Sequence, residues 1–317
     1  MPGFSRRTLG RTGLEVSPIG IGGGSMISSE DLLYAFERGV NYYFFSSDMH
    51  HFFYRRSVDA LRSLCGRGSA VREKVVLATV SYVNDPEKIP GVLVDQFTEL
   101  DIDYIDVFHW GWITDSSDCA SLFEASASLK QDGEMAEWLR SMFPRAAEVN
   151  EELRRRGLVR FVGASFHSRA AARRSIGSPL DVLMLRYNVA HLGAEADVFP
   201  GLSGDKRKDP GIVAFNVGHE GPRYLHTAPP NYPPGYPVPT IPDCYRFALS
   251  NPFVDVVLTG VKDRAELDAA LASLEKGPLS ERELRFMRKY GTLFSNEAAR
   301  VRVPEPGREP PAAVDAS

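Results

Sequence analysis

The stretch Asp101–Trp112, DIDYIDVFHWGW, decides the fold. A short polar turn leads into Tyr104-Ile105-Asp106. The bulky run Val107-Phe108-His109-Trp110 follows and closes on Gly111 and Trp112. A short apolar run bounded by turn residues reads as a strand buried on both faces. His109 interrupts it with a polar group, and Gly111 leaves the strand's exit without a side chain. Side chains alternate along a strand, so these two share a face about 6.8 Å apart.

Working outward, strand and helix signals alternate on both sides. Pro18–Ile21, Asn41–Phe45 and Val75–Tyr82 read as the first three strands, with 104–112 as the fourth. Val159–Ser165, Asp181–Asn188, Gly211–Val217 and Val254–Val261 complete eight. Ser28 and Asp31 form a capping pattern ahead of Leu32, Leu33, Phe36 and Val40, which share one helical face. Helices are expected over Ser57–Leu64, from Asp85-Pro86 to Leu100, over 144–156, and behind the caps Thr240 and Asp263. Ser280 and Glu283 make a capping box for a last helix reaching about Arg300. Residues 4–16 read as a hairpin, Arg6–Leu9 against Leu14–Val16 around Gly10 and Gly13. The proline-rich 218–239 reads as an ordered loop without regular structure, and 113–143 as a long insertion and lid candidate.

Alternating strands and helices call for parallel βαβ units. Eight of them, with no Gly-x-Gly-x-x-Gly after the first strand, favour a (β/α)8 TIM barrel over an open sheet. The expected organisation is one barrel domain over 1–301, with an N-terminal hairpin, long loops at the C-terminal face and an extra C-terminal helix. A disordered tail over 302–317 is expected to follow. The active face of such a barrel is the C-terminal end of its strands.

Composition narrows the function. Net charge is −4 with no basic block, which offers nucleic acid no footprint. No apolar run is long enough to span a membrane, and the N-terminus carries no secretion pattern. Cys65, Cys119 and Cys244 are too few and too far apart for a disulfide framework, so a reducing, cytoplasmic setting is expected.

Several segments together resemble the aldo-keto reductase superfamily. They are RTLGRTGLEVSPIGIGGG near the start, GVNYYF at the second strand and ELDIDYIDV at the fourth. GLVRFVGAS at the fifth, RYN at the sixth and LTGVKDRAELDAAL at the eighth complete the set, over roughly 5–290. The resemblance implies NADPH-dependent carbonyl reduction by an Asp, a Tyr, a Lys and a His at the ends of strands two to four. Those positions fall here on Phe44, on Met49 or His50, on Val80 and on Gly111. An alternative alignment matches His109-Trp110 to the family's His-Trp and restores only the histidine. The tetrad reads as lost, and carbonyl reduction by that route is not expected, since general acid help is worth about 10²–10⁴ in rate. At the cofactor site the resemblance places Ser165, a stacking ring at Phe215, and Lys262 and Arg264 near a 2′-phosphate. Its remaining positions hold Phe166, Met184, Ala269 and Ala270, with Glu266 adding a negative charge. The NADP site reads as eroded, and no cofactor is expected.

Histidines remain for the chemistry. All seven lie near the C-terminal ends of strands or in the loops that follow. His109 is either a core residue satisfied by a neighbouring strand or an acid/base at the bottom of a pocket opened by Gly111 and Val80. Asp48, His50 and His51 offer a base and its orienting carboxylate, or only a solvated loop. His167 stands at the end of the fifth strand. Two histidines with Asp48 could also hold a divalent metal, which is not expected of adjacent histidines. Trp110, Trp112 and Trp138 are candidates to line the mouth. The leading reading is a small-molecule enzyme with histidine acid/base chemistry on a hydrophobic or aromatic substrate. The alternatives are a divergent NADPH oxidoreductase and a non-catalytic ligand- or partner-binding protein.

Overall fold

Eight parallel strands close into a barrel in a computed structural model that describes residues 4–22, 26–48, 51–83, 85–114, 147–220, 223–230 and 232–294. The strands are β1 (Ile19–Gly22), β2 (Tyr42–Ser46), β3 (Val76–Ser81), β4 (Ile105–Ile113), β5 (Val159–Phe166), β6 (Val182–Arg186), β7 (Gly211–Phe215) and β8 (Val256–Thr259). Each pairs with its neighbours in sequence, and β8 closes on β1 through Val257 opposite Ile19. The helices are α1 (Ser29–Glu37), α2 (His51–Tyr54), α3 (Val58–Cys65), α4 (Ile89–Leu100), α5 (147–155), α6 (Arg169–Arg174), α7 (Ala194–Asp197), α8 (Ile241–Leu249), α9 (Arg264–Lys276) and α10 (Glu281–Gly291). Arg7–Thr8 pairs antiparallel with Glu15–Val16 as the N-terminal hairpin. Among the described residues no helix is long and apolar enough to cross a membrane.

Register fixes which side chains fill the barrel. Phe44 stands opposite Ala78, Val80 opposite His109, and His109 opposite Gly163. Ser165 stands opposite Met184, and Arg186 opposite Phe215. These residues all point inward, since facing residues in register share a side. Trp110 has the other parity and lies outside the barrel wall, where its indole Nε1 donates to Asn150 Oδ1 of α5 at 3.1 Å. It therefore does not line the mouth.

The even strands are tied to the odd strand before them by one repeated device at the N-terminal face. Asn41, Asp106, Asp181 and Asp255 stand where β2, β4, β6 and β8 begin. Their side chains accept the backbone N–H groups of Ser17, Leu77, Val162 and Ile212 at 2.7, 2.9, 3.0 and 2.9 Å. A buried carboxylate needs a counter-charge. Asp106 has Arg72 at 2.8 Å and Arg160 at 2.7 Å, Asp181 has Arg154, and Asp255 has Lys206. Asn41 is neutral and instead donates to Glu15 O. The Tyr104-Ile105-Asp106 signature thus has a structural cause, completed by the Arg72 guanidinium 3.7 Å over the Tyr104 ring.

Local signals explain the helix starts. Ser28, Thr240, Asp263 and Ser280 each accept the N–H three residues on, with full capping boxes at Thr240 and Ser280. Three expectations are corrected. The last helix stops at Gly291, well short of Arg300, and a Cβ at Gly291 would lie 1.9 Å from Val189 O. The 218–239 loop carries a short ribbon, His219–Glu220 against Arg223–Tyr224, with Pro222 between its two strands in the sequence and the other prolines, from Pro229 on, beyond it. The helix expected from Asp85 begins at Ile89, after a turn. The lid candidate beyond Thr114 and the tail lie outside the described residues.

Candidate active site at the barrel mouth

β4 reaches the mouth through an irregularity between Trp110 and Ile113, where its pairing with β5 shifts. Trp112 adopts φ 58° there, a conformation costly for a bulky side chain. The bulge re-aims its indole across the rim. The ring stacks on His167 with centroids 5.0 Å apart and planes at 17°, and His167 in turn tilts over Phe215 at 5.3 Å. His167 is fixed at its backbone by donation to Ile113 O at 2.6 Å. A second φ outlier, Asn216 at 54°, follows Phe215 at the end of β7.

Electrostatics set the state of this histidine. Removal from water lowers the His167 pKa from 6.5, and the charge of Arg186 lowers it further. The imidazole is therefore neutral at neutral pH and able to accept a proton. Arg186 was not singled out in the sequence, where it read as part of the RYN segment. Its parity with Met184 on the same strand would have placed it inward.

Across the mouth, Asp48 ties the ends of β2 and β3 together. It accepts from Ser46 Oγ at 2.9 Å, Ser81 Oγ at 3.1 Å and the Tyr82 N–H at 2.7 Å. Its charge also reaches the hydroxyls of Tyr54 and Tyr82. Burial, with that charge, pushes the Tyr82 pKa up to about 12, so the phenol keeps its proton. The Tyr82 ring sets its edge against Trp112 at 6.1 Å. Tyr54 and Tyr82 are mouth residues that the sequence does not single out, because Tyr54 lies in a short helix without periodicity and Tyr82 reads only as the last residue of the third strand.

Asp48 meets His51 through the backbone, where Asp48 O accepts the His51 N–H at 3.0 Å. The His51 imidazole turns to the helix layer, with Nε2 2.6 Å from Glu99 Oε1 of α4 and its ring edge-on to Phe45. His50 lies outside the described residues, as do Met49, Cys119 and Trp138.

His109 faces inward as parity requires, but it is wholly buried. Its Nδ1 lies 3.1 Å from Thr79 O, its Nε2 has no hydrogen-bond partner, and Phe44 presents an edge at 5.8 Å. Burial lowers its pKa from 6.5 to about 4. The ring occupies the space over β5 that Gly163 leaves, where a Cβ would come within 2.8 Å of it. The space beside Gly111, expected to be open, is occupied by the end of β3. A Cβ at Gly111 would lie 2.7 Å from Ser81 O and 2.8 Å from both Tyr82 Cδ1 and Val80 Cγ2. Gly111 is thus a close approach of β4 to the end of β3.

A cleft of about 820 Å³ opens between the ends of β1, β7 and β8. Tyr54, Phe215, Tyr224 and Tyr245 form aromatic walls, with His219, His226, Lys262 and Glu266 among the polar lining. His191 stands apart, in a bridge with Asn188. Cys65 and Cys244 are buried packing residues, each thiol pushed up to about 12 by desolvation. Among the described residues no three His, Cys, Asp or Glu side chains converge as a metal site requires.

An aldo-keto reductase of Bacillus halodurans matches over 97% of this chain and 100% of its own. The TM-score is 0.66 at 18% identity for its holo form and 0.62 at 19% for its apo form. The fold is that of the aldo-keto reductases. A Pseudomonas aeruginosa protein assigned as an aldo-keto reductase matches at 0.59 and 18%, over 86% of this chain and 95% of its own. Neither a protein-family model nor a curated protein sequence matches the chain. Phe44, Val80 and Gly111 lie on β2, β3 and β4.

The residues around the cleft do not fit a 2′-phosphorylated dinucleotide. Lys262 Nζ is 2.8 Å from Glu266 Oε1. Arg264 turns to α1, with Glu30 at 2.9 Å and Asp31 at 3.3 Å, and covers the Tyr34 ring at 4.4 Å. Phe215, the stacking candidate, has His167 tilted against it. Ser165 faces inward near the mouth and is almost fully buried.

Proposed function

We propose that the protein is a cytoplasmic small-molecule enzyme that uses the barrel mouth for acid/base chemistry, without the reductase tetrad and without NADPH. The observation that carries this reading is His167, held neutral between the Trp112 and Phe215 rings with the Arg186 charge nearby. In this reading His167 accepts a proton from a substrate lying against Trp112. Arg186 stabilises the negative charge that develops, and the protonated Tyr82 hydroxyl is the donor. The aromatic mouth suits a hydrophobic or aromatic substrate. His109 keeps a structural role, and so does His51.

The test is a mass-spectrometric screen of a metabolite extract incubated with the protein and no added nucleotide. His167→Gln should abolish the conversion and His51→Ala should leave it. Equal conversion by His167→Gln, or conversion that requires NADPH, would contradict the proposal. The second reading is a divergent NADPH oxidoreductase; the size of the 820 Å³ cleft speaks for it, and the pairing of Lys262 with Glu266 speaks against it.

A further inference from the structure

We propose that Glu266 fills, from within the chain, the anion position at the end of β8, and so closes the cleft to phosphate-bearing ligands. The loop Gly260–Asp263 leads from β8 into α9, and a helix N-terminus preceded by a lysine offers backbone N–H groups and a point charge to an anion. The Lys262 N–H, the Glu266 N–H and the Lys262 charge are already used. Glu266 Oε2 accepts the Lys262 N–H at 3.1 Å while Oε1 holds the Lys262 ammonium at 2.8 Å. One carboxylate thus takes the backbone donor and the cation that a phosphate would take. Its own N–H is held by Asp263 Oδ1 at 2.9 Å, which fixes the first turn and aims the side chain back along the loop.

The surrounding charge acts in the same direction. Lys262 and Arg264 face four carboxylates, those of Glu30, Asp31, Asp263 and Glu266. A phosphate dianion brought there meets a net negative surface, with both cations engaged. The bland alternative is that Glu266 is only a helix cap, which would leave nucleotide binding unchanged when it is removed. The pair is solvent-exposed, and such pairs add little to stability. Its removal should therefore leave the fold intact, which thermal melting can verify.

The test is isothermal titration of the full chain with 2′-AMP, adenosine and inorganic phosphate. Wild type should bind 2′-AMP no more tightly than adenosine. Glu266→Ala should bind 2′-AMP at least about tenfold more tightly than wild type, the scale of removing one charge at ion-pair distance, with adenosine unchanged. Inorganic phosphate should compete for the gained site, and Lys262→Ala in the Glu266→Ala background should remove the gain. The inference is overturned if wild type already binds 2′-AMP as tightly as Glu266→Ala, or if Glu266→Ala gains nothing. It is equally overturned if the gain survives loss of Lys262 or is not competed by phosphate. These are binding readouts at the cleft, so they succeed or fail independently of turnover by His167.

Discussion

His109 ties the core to pH. Its folded pKa of about 4 lies below the usual 6.5, so between those values the unfolded chain binds more protons. Stability is then fully present above about pH 6.5, falls as pH drops towards 4, and loses no more below it. The drop amounts to about 3 kcal/mol, from roughly 1.4 kcal/mol per pKa unit. Urea melts at about pH 7 and about pH 5 should show it, and His109→Phe should flatten that part of the profile. An unchanged slope in the variant would assign the loss to other groups. His167 gives the complementary prediction for turnover. The rate should rise with pH through its lowered pKa and level off above, as for a base that works neutral. Gly111→Ala should cost about 1–3 kcal/mol in a denaturant titration, because its methyl meets the backbone of Ser81. Alternation along β4 was enough to place His109 and Gly111 inward. It could not show that the space beside Gly111 is filled, because that depends on how closely Val80, Ser81 and Tyr82 at the end of β3 approach β4.

β4 carries the greatest division of labour among the elements. Its N-terminal end anchors the barrel through Asp106, and its C-terminal end bends to deliver Trp112. Asp106→Ala leaves Arg72 and Arg160 without their carboxylate and Leu77 N–H without its acceptor. The expected loss is about 3–5 kcal/mol, the range for breaking a buried pair. Asp106→Asn retains an acceptor oxygen and should lose less, and thermal melts of both variants test that order. The eight strands were legible because buried parallel strands read as apolar runs between turn signals. The bulge was not legible, since nothing in HWGW marks where pairing slips or that Trp112 rather than Gly111 takes a positive φ. The helix-facing turn of His51 escaped for a similar reason, as its partner Glu99 lies 48 positions away.

Across the whole molecule the two faces of the barrel divide stability from chemistry. The N-terminal face holds the Asx ties and their counter-charges. The C-terminal face gathers the backbone outliers Trp112 and Asn216, the neutral His167 and the aromatic cleft. The positive φ of Trp112 and Asn216 and the lowered pKa of His167 lie where function is expected. The sequence resemblance led to the correct fold, and it pointed to Lys262, which lines the cleft, and to Arg264, which turns to α1. It could not show that Glu266, Glu30 and Asp31 already engage them, because those contacts depend on loop and helix placement. The central claim is that this barrel does its chemistry without the dinucleotide. The most direct test is a fluorescence titration of the wild-type protein with NADPH up to millimolar concentration, paired with thermal melts. The account predicts no saturable change in fluorescence and no shift in Tm, and saturable binding in the micromolar range would contradict it.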